Sequence, residues 1–441
     1  MAKVKKPKKK NDPYKKVEQI EVYVWGEFVG AAALDPRLEY YAFAYDKNFG
    51  KSGIELSPLH MPLNDTEQPY IFTDLPELTY KRLPALIADA LPDDFGNALI
   101  DRYMADKGIS SSQITALDRL AYMGKRSMGA LEFKPARGPK AHKPTALEMN
   151  KLVTEARNLV RGTFKDDDHT NATLRSIIEV GTSAGGARAK AVISWNPKTE
   201  EILTGQAEAP KGFEHWILKF DGMGPDKELG ASQNYGRIEY AYYLMAREGG
   251  IAMSECRLLL ENNRAHFMTK RFDREGGNVK HHMQTLCAMN HLDYKKKSTN
   301  SYEQFFMTVR ELALGHAAEV ESFRRMVFNV MGRNCDDHTK NISFLLRQGG
   351  AWELAPAYDM TFAHNPKGEW TSQHLMSVNG KYQGFNTRDI LAVAERFGIG
   401  EAPLIIKEVR SAIKAWPSFA KKAGVGEKET DHIKGLQLIL V

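Results

Sequence analysis

Cysteine is scarce in this chain of 441 residues: Cys256, Cys287 and Cys335 are odd in number, far apart and form no CxxC pair. That excludes a disulfide framework and a paired-cysteine zinc site. Long apolar runs are missing too, since none approaches the ~18 residues that a membrane span needs. The N-terminus, "MAKVKKPKKKNDPYKK", lacks the apolar centre and small-residue cleavage site of a secretory signal. These absences point to a cytoplasmic protein with no membrane partner. No internal repeat is visible.

The body of the chain also lacks an excess of positive charge. The net charge is +6, yet residues 1–16 carry eight lysines and one acid, Asp12, so this tail holds +7 and residues 17–441 hold −1. So lysine-rich a tail predicts disorder. It serves solubility, or it touches nucleic acid or an acidic partner by counterion release. The rest, at 42% hydrophobic and 26% charged overall, has the composition of an ordinary globular protein, and its length predicts two or three domains.

After the tail, "VEQIEVYVWGEFVGAAAL" alternates apolar and polar residues around a glycine-containing turn, which predicts a hairpin. "LPALIADALPDDFGNALIDRYMADKG" and "TALDRLAYMGKRSMGALEF" predict helices closed by a short strand. "PARGPKAHKPT" (135–145) then breaks all periodicity and reads as a linker. Beyond it, Met149, Leu152, Val153, Ala156 and Val160 fall at helical spacing. A β-rich block follows in "KAVISW", "EILT" and "FEHWILKF", then a helix "GRIEYAYYLMAREGG", then strands in "CRLLLENN" and "HFMTKRF". From about residue 300 the chain reads as helical, interrupted by a strand, turn and strand over 342–356. The expected organisation is a basic tail (1–16), an N-terminal α+β subdomain (17–136), a β-rich lobe (146–272) and a helical lobe (273–441).

The densest group of ionisable residues, "NCDDHTKN" (334–341), stands directly before that hairpin. Asp336 and Asn341 are five residues apart, the offset by which a kinase catalytic loop turns an aspartate toward a substrate hydroxyl and an asparagine toward a metal ion. The hairpin returns the chain to Asp359 in "APAYDM", where a carboxylate at a strand end suits Mg2+ between phosphate oxygens. Alone, D-x-x-x-x-N is a weak signal. In "HWILKF", however, Lys219 sits in an otherwise apolar strand, where a charge is costly unless paired or bound to an anion. Glu239, twenty residues on in the long helix, is an available partner. Upstream, "GTSAGGARAKAVISW" offers Gly181, Gly185 and Gly186 before a strand, where backbone N–H groups can approach phosphates. Five parts of a phosphoryl-transfer site thus occur in the expected order.

The segments "SAGGARAK", "WILKF", "KRFDREGG", "MGRNCDDHTKN" and "APAYDM", with "MGKRSMGALEF" upstream and "LMSVNGK" downstream, resemble the HipA family of bacterial serine/threonine kinase toxins from about residue 18 onward. The resemblance implies an α+β, two-lobed protein-kinase-like fold behind a small N-terminal subdomain. It implies ATP and Mg2+ as cofactors, a protein substrate such as an aminoacyl-tRNA synthetase, and a small helix-turn-helix antitoxin through which DNA is reached indirectly, the basic tail being the other route to DNA. By position, Asp336 resembles the catalytic aspartate, Asn341 and Asp359 the metal ligands, and Lys219 the lysine on the ATP phosphates. Ser183 resembles the serine whose autophosphorylation displaces the loop and switches the kinase off. The lysine tail is not a family element, and Asp337 stands where some members have glycine.

Blander readings stand beside these. Asp337 and His338 read as structural, the first facing solvent or capping and the second bonding backbone. Lys340 lies either near the transferring phosphoryl or in solvent. His281, His282 and His291 with Cys287 fit no tetrahedral metal spacing, and "KDDDHTN" (165–171) lacks the glycine and distal glutamate of a calcium loop. Ser183 is of a type common in glycine turns. At the level of function, a small-molecule kinase of the same fold and a catalytically silent module in a DNA-binding repressor complex compete with the protein kinase. The buried charges that a silent module has no reason to keep argue against the last.

Overall fold

The computed structural model describes residues 14–63, 67–139, 189–205, 208–221, 234–261, 264–276 and 278–440. The predicted hairpin forms from β1 (Gln19–Val24) and β2 (Glu27–Leu34), and Val22 and Val24 are fully buried as the alternation requires. Its two turn residues, Trp25 and Gly26, both take positive φ, the geometry that suits the strand twist. With β3 (Tyr41–Tyr45) and β4 (Leu131–Lys134) they make an antiparallel sheet of order β3-β2-β1-β4. The first predicted helical stretch is split. A short turn of helix, Ala85–Ala88, stops before Pro92, whose missing N–H and fixed φ cannot continue it, and α1 (Asp94–Ala105) starts afresh on the Asp93 side-chain cap. Helix α2 (Ala116–Met123) begins on a Thr115/Asp118 capping box.

The β-rich block is one antiparallel five-stranded sheet, order β6-β5-β7-β9-β8, built from β5 (Lys190–Trp195), β6 (Ile202–Thr204), β7 (Glu214–Lys219), β8 (Cys256–Glu261) and β9 (Arg264–Lys270). Between β7 and β8 runs α3 (Tyr235–Glu248). A three-stranded sheet follows, of β10 (His282–Thr285), β11 (Ser343–Leu346) and β12 (Trp352–Leu354), so the strand, turn and strand expected after residue 341 form the β11–β12 hairpin. Around it stand α4 (Tyr302–Glu311), α5 (His316–Gly332), α6 (Thr387–Phe397), α7 (Ala402–Lys414), α8 (Trp416–Ala423) and α9 (Glu427–Leu436).

Three apolar clusters hold these pieces together. The largest joins α3 to the helical region through Tyr242, Met245, Phe305, Phe328 and Trp416, each of which contributes roughly 1.5–3 kcal/mol by leaving water. The other two span the predicted subdomain border. Phe95, Leu99 and Ile100 of α1 share a cluster with Ile193, Trp216 and Leu218 of the five-stranded sheet. Leu86 and Ile87 share another with Cys287, Ala288 and Leu346 from the helical side. The N-terminal unit therefore packs on both lobes.

Candidate active site

Lys219 is the last residue of β7, opposite Lys190 of β5 and Phe267 of β9. Its side chain is 14% exposed, and Nζ donates to Glu239 Oε1 at 2.5 Å and to Asp359 Oδ1. Glu239, on α3, is buried. Asp359 follows the β11–β12 hairpin with φ +54°, a left-handed conformation that a short polar side chain tolerates better than a branched one. Burial alone would pull the Lys219 ammonium down, but the Asp359 and Glu239 carboxylates outweigh it and hold it above the usual lysine range. For Asp359 the signs reverse: burial would raise it, while Lys219 and then Lys190 bring it below the usual carboxylate range.

Helix α5 ends on Arg333, which takes φ +56° and donates its N–H to Asn329 O. The chain then continues as the loop 334–338, with Asn334, Cys335 and Asp337 buried, and a single 3-10 turn, Thr339–Asn341. Asn341 Nδ2 donates to the Asp336 carbonyl at 2.8 Å, which fixes the five-residue spacing and leaves Oδ1 as the amide's acceptor. The Asp336 carboxylate is 48% exposed and 3.8 Å from His338 Nε2. This loop is stitched to the Asp359 segment. Cys335 N–H donates to Ala363 O at 3.0 Å, Asn334 Nδ2 reaches Asp359 O at 3.4 Å, and Tyr358 O–H donates to Lys340 O at 2.8 Å. Lys219, Glu239, Asp359, Asp336 and Asn341 are thereby gathered at one junction of the sheet with the helical region.

Two expectations change. Asp337 neither faces solvent nor caps a helix. Its carboxylate is 1% exposed and accepts from Tyr302 O–H at 2.9 Å, His374 Nδ1 at 2.7 Å and Leu375 N–H at 2.8 Å, so it anchors the loop from below. The His338 ring packs against Tyr294, centroids 5.2 Å apart, rather than bonding backbone. Lys340 is not simply solvated, since its Nζ lies 3.8 Å from Asp89 and 5.4 Å from the Tyr294 ring centroid. Ser183, Gly181, Gly185 and Gly186 lie outside the described residues, as do the helix expected at 149–160 and the acidic run 165–171. Among the described residues no three His, Cys, Asp or Glu side chains group as a metal site, and no helix is long and apolar enough to cross a membrane.

Sequence reasoning passed over Lys190, buried beside Lys219 and 3.3 Å from Asp93. The signal was present: Lys190 opens an apolar strand just as Lys219 closes one.

The architecture is a two-lobed, kinase-like α+β fold carrying an extra N-terminal unit, with a lysine–carboxylate cluster between the lobes. Residues 20–134 match the HipA N-terminal domain and residues 182–416 the HipA-like C-terminal domain. The chain belongs to the HipA family. HipA of the Shewanella oneidensis MR-1 toxin–antitoxin system, solved with HipB and its operator DNA, shares the fold, with a TM-score of 0.65 and 18% identity over 94% of this chain and 95% of that one. The Helicobacter pylori proinflammatory kinase CtkA aligns with a TM-score of 0.36 and 16% identity over 57% of this chain and 89% of that one. No curated protein matches the chain.

Proposed function

We propose that the protein is an ATP- and Mg2+-dependent serine/threonine kinase acting on a protein substrate, the toxin of a toxin–antitoxin pair. The observation that carries this reading is Lys219 held between Glu239 and Asp359, beside the loop that presents Asp336 and Asn341. Lys219 keeps its proton in this setting and so offers a lasting positive charge to phosphate oxygens, and Glu239 holds its amine in place. Asp336 is exposed enough to meet a hydroxyl from another molecule, orient it and accept its proton.

Mg2+ takes oxygen ligands and keeps several waters, so one or two protein oxygens suffice. The Asp359 carboxylate and Asn341 Oδ1 are that donor set. When bound, the ion neutralises phosphate charge. The finer parts of the proposal rest on family membership: autophosphorylation of Ser183, Gly185 and Gly186 on the phosphates, a small helix-turn-helix antitoxin, an aminoacyl-tRNA synthetase as target, and action in the cytoplasm. The Shewanella relative was solved with HipB and operator DNA, which supports an antitoxin route to DNA here.

The test incubates the full chain with labelled ATP and Mg2+ and maps phosphosites by mass spectrometry, beside Asp336→Asn. Wild type is expected to label Ser183 and the variant to bind ATP but transfer nothing. Transfer at the wild-type rate by Asp336→Asn would sink the mechanism.

A further inference from the structure

Between the Ala85–Ala88 turn of helix and α1, five residues carry two carboxylates that reach in different directions. Asp93 accepts from Gly96 N–H at 2.7 Å, capping α1, and its Oδ2 lies 3.3 Å from Lys190 Nζ, with the two side chains 5% and 2% exposed. Asp89 is 7% exposed. It accepts from Thr285 N–H at 2.7 Å and Thr285 O–H at 2.8 Å, and lies 3.8 Å from Lys340 Nζ in the loop of Asp336 and Asn341. Pro92 stiffens the span between them. The apolar contacts run the same way, with α1 on the five-stranded sheet and Leu86 and Ile87 on the helical side.

The register adds a reason. Lys190 and Lys219 face each other across β5 and β7, and like charges directly opposite repel unless each is held. Lys219 has Glu239 and Asp359, and Lys190 has Asp93. We infer that residues Asp89–Asp93 are an interlobe brace: Asp93 fixes Lys190 on the β-rich lobe and Asp89 fixes Lys340 on the catalytic loop, so the N-terminal unit sets the spacing of the two halves of the phosphate site. Both aspartates are positioning residues. The effect on turnover rests on the kinase reading; the mechanical coupling does not.

Asp93→Asn separates charge from cap, because asparagine caps a helix as well as aspartate. On the full chain, three quantities are measured: hydrogen exchange over 190–195 and 336–341, steady-state kinetics in ATP, and the melting temperature. The variant is expected to exchange faster in both segments and to raise KM for ATP about tenfold with kcat within about twofold. In a Lys190→Met background Asp93→Asn should add nothing further, since the two act as one unit. Asp89→Asn, at the other end, should speed exchange over 336–341. Unchanged exchange and KM, or an additive effect in the Lys190→Met background, overturns the brace. So does a lowered melting temperature with KM unaltered, which marks a pair that only stabilises. If wild type consumes no ATP the kinase reading falls, and the exchange measurements still decide the brace.

Discussion

Two buried charge clusters in this molecule have opposite composition and opposite character. At the junction of β9 with the N-terminal unit, one anion, Asp273, sits among cations. It accepts from Arg271 Nε at 2.9 Å and Nη2 at 2.7 Å, from Arg274 Nη1 at 2.8 Å, and from Gly129 N–H at 2.7 Å. Its exposure is zero and every approach is filled. At the cleft, one cation, Lys219, sits between two carboxylates, and Asp359 is still 23% exposed. Burial would raise the Asp273 carboxyl, but Arg271 and Arg274 hold it far below the usual range. Charge density therefore does not mark a site. A saturated, closed cluster ties two units together, whereas one left partly open and with an excess of negative charge keeps room to exchange partners, as the proposed phosphate and metal ion require.

The sharpest way to break this contrast is Asp273→Ala. It leaves two buried guanidinium groups uncompensated and should cost about 3–5 kcal/mol in urea unfolding. A loss below about 1 kcal/mol would mean that the cluster is not structural. Next, Lys219→Met should lower phosphoryl transfer roughly 10²–10³-fold while destabilising less than Asp273→Ala; the reverse ranking erases the distinction. The last contrast concerns the anchor beneath the loop 334–338. Burial would lower the His374 imidazole, but Asp337 and then Cys335 raise it from 6.5 to about 10. A raised folded value stabilises fully below the unfolded value and is lost as pH climbs through the folded one. Stability should therefore decline between pH 6.5 and 10. His374→Gln should flatten that slope in urea unfolding at several pH values, and an identical slope in wild type and variant would exclude the imidazole as its source.

Much of the fold was legible because it rests on local signals. The β1–β2 alternation, the strand closed by Lys219 and the hairpin between Asn341 and Asp359 all follow from periodicity and turn residues in contiguous sequence. Asp336 and Asn341 were visible as a spacing, and the 3-10 turn, closed by Asn341 N–H on His338 O, together with the Asn341 Nδ2 bond to Asp336 O gives that spacing its geometry. Asp337 was misjudged because its partners, Tyr302 and His374, come from 35 and 37 residues away on either side. Asp93 and Asp89 passed unremarked inside a stretch read simply as helical for the same reason: Lys190 and Thr285 are their partners only once the N-terminal unit has packed on both lobes.

The sequence by itself determined the elements, their order and the types of residue available for phosphoryl transfer, because helix periodicity, strand alternation and the cost of an unpaired lysine in an apolar strand act over a few residues. Tertiary structure alone decided which carboxylate meets which lysine. Strand register sets Lys190 against Lys219, and packing of α1 on the sheet brings Asp93 to it. Electrostatic pairing depends on distance and burial, and both are fixed only when distant segments meet.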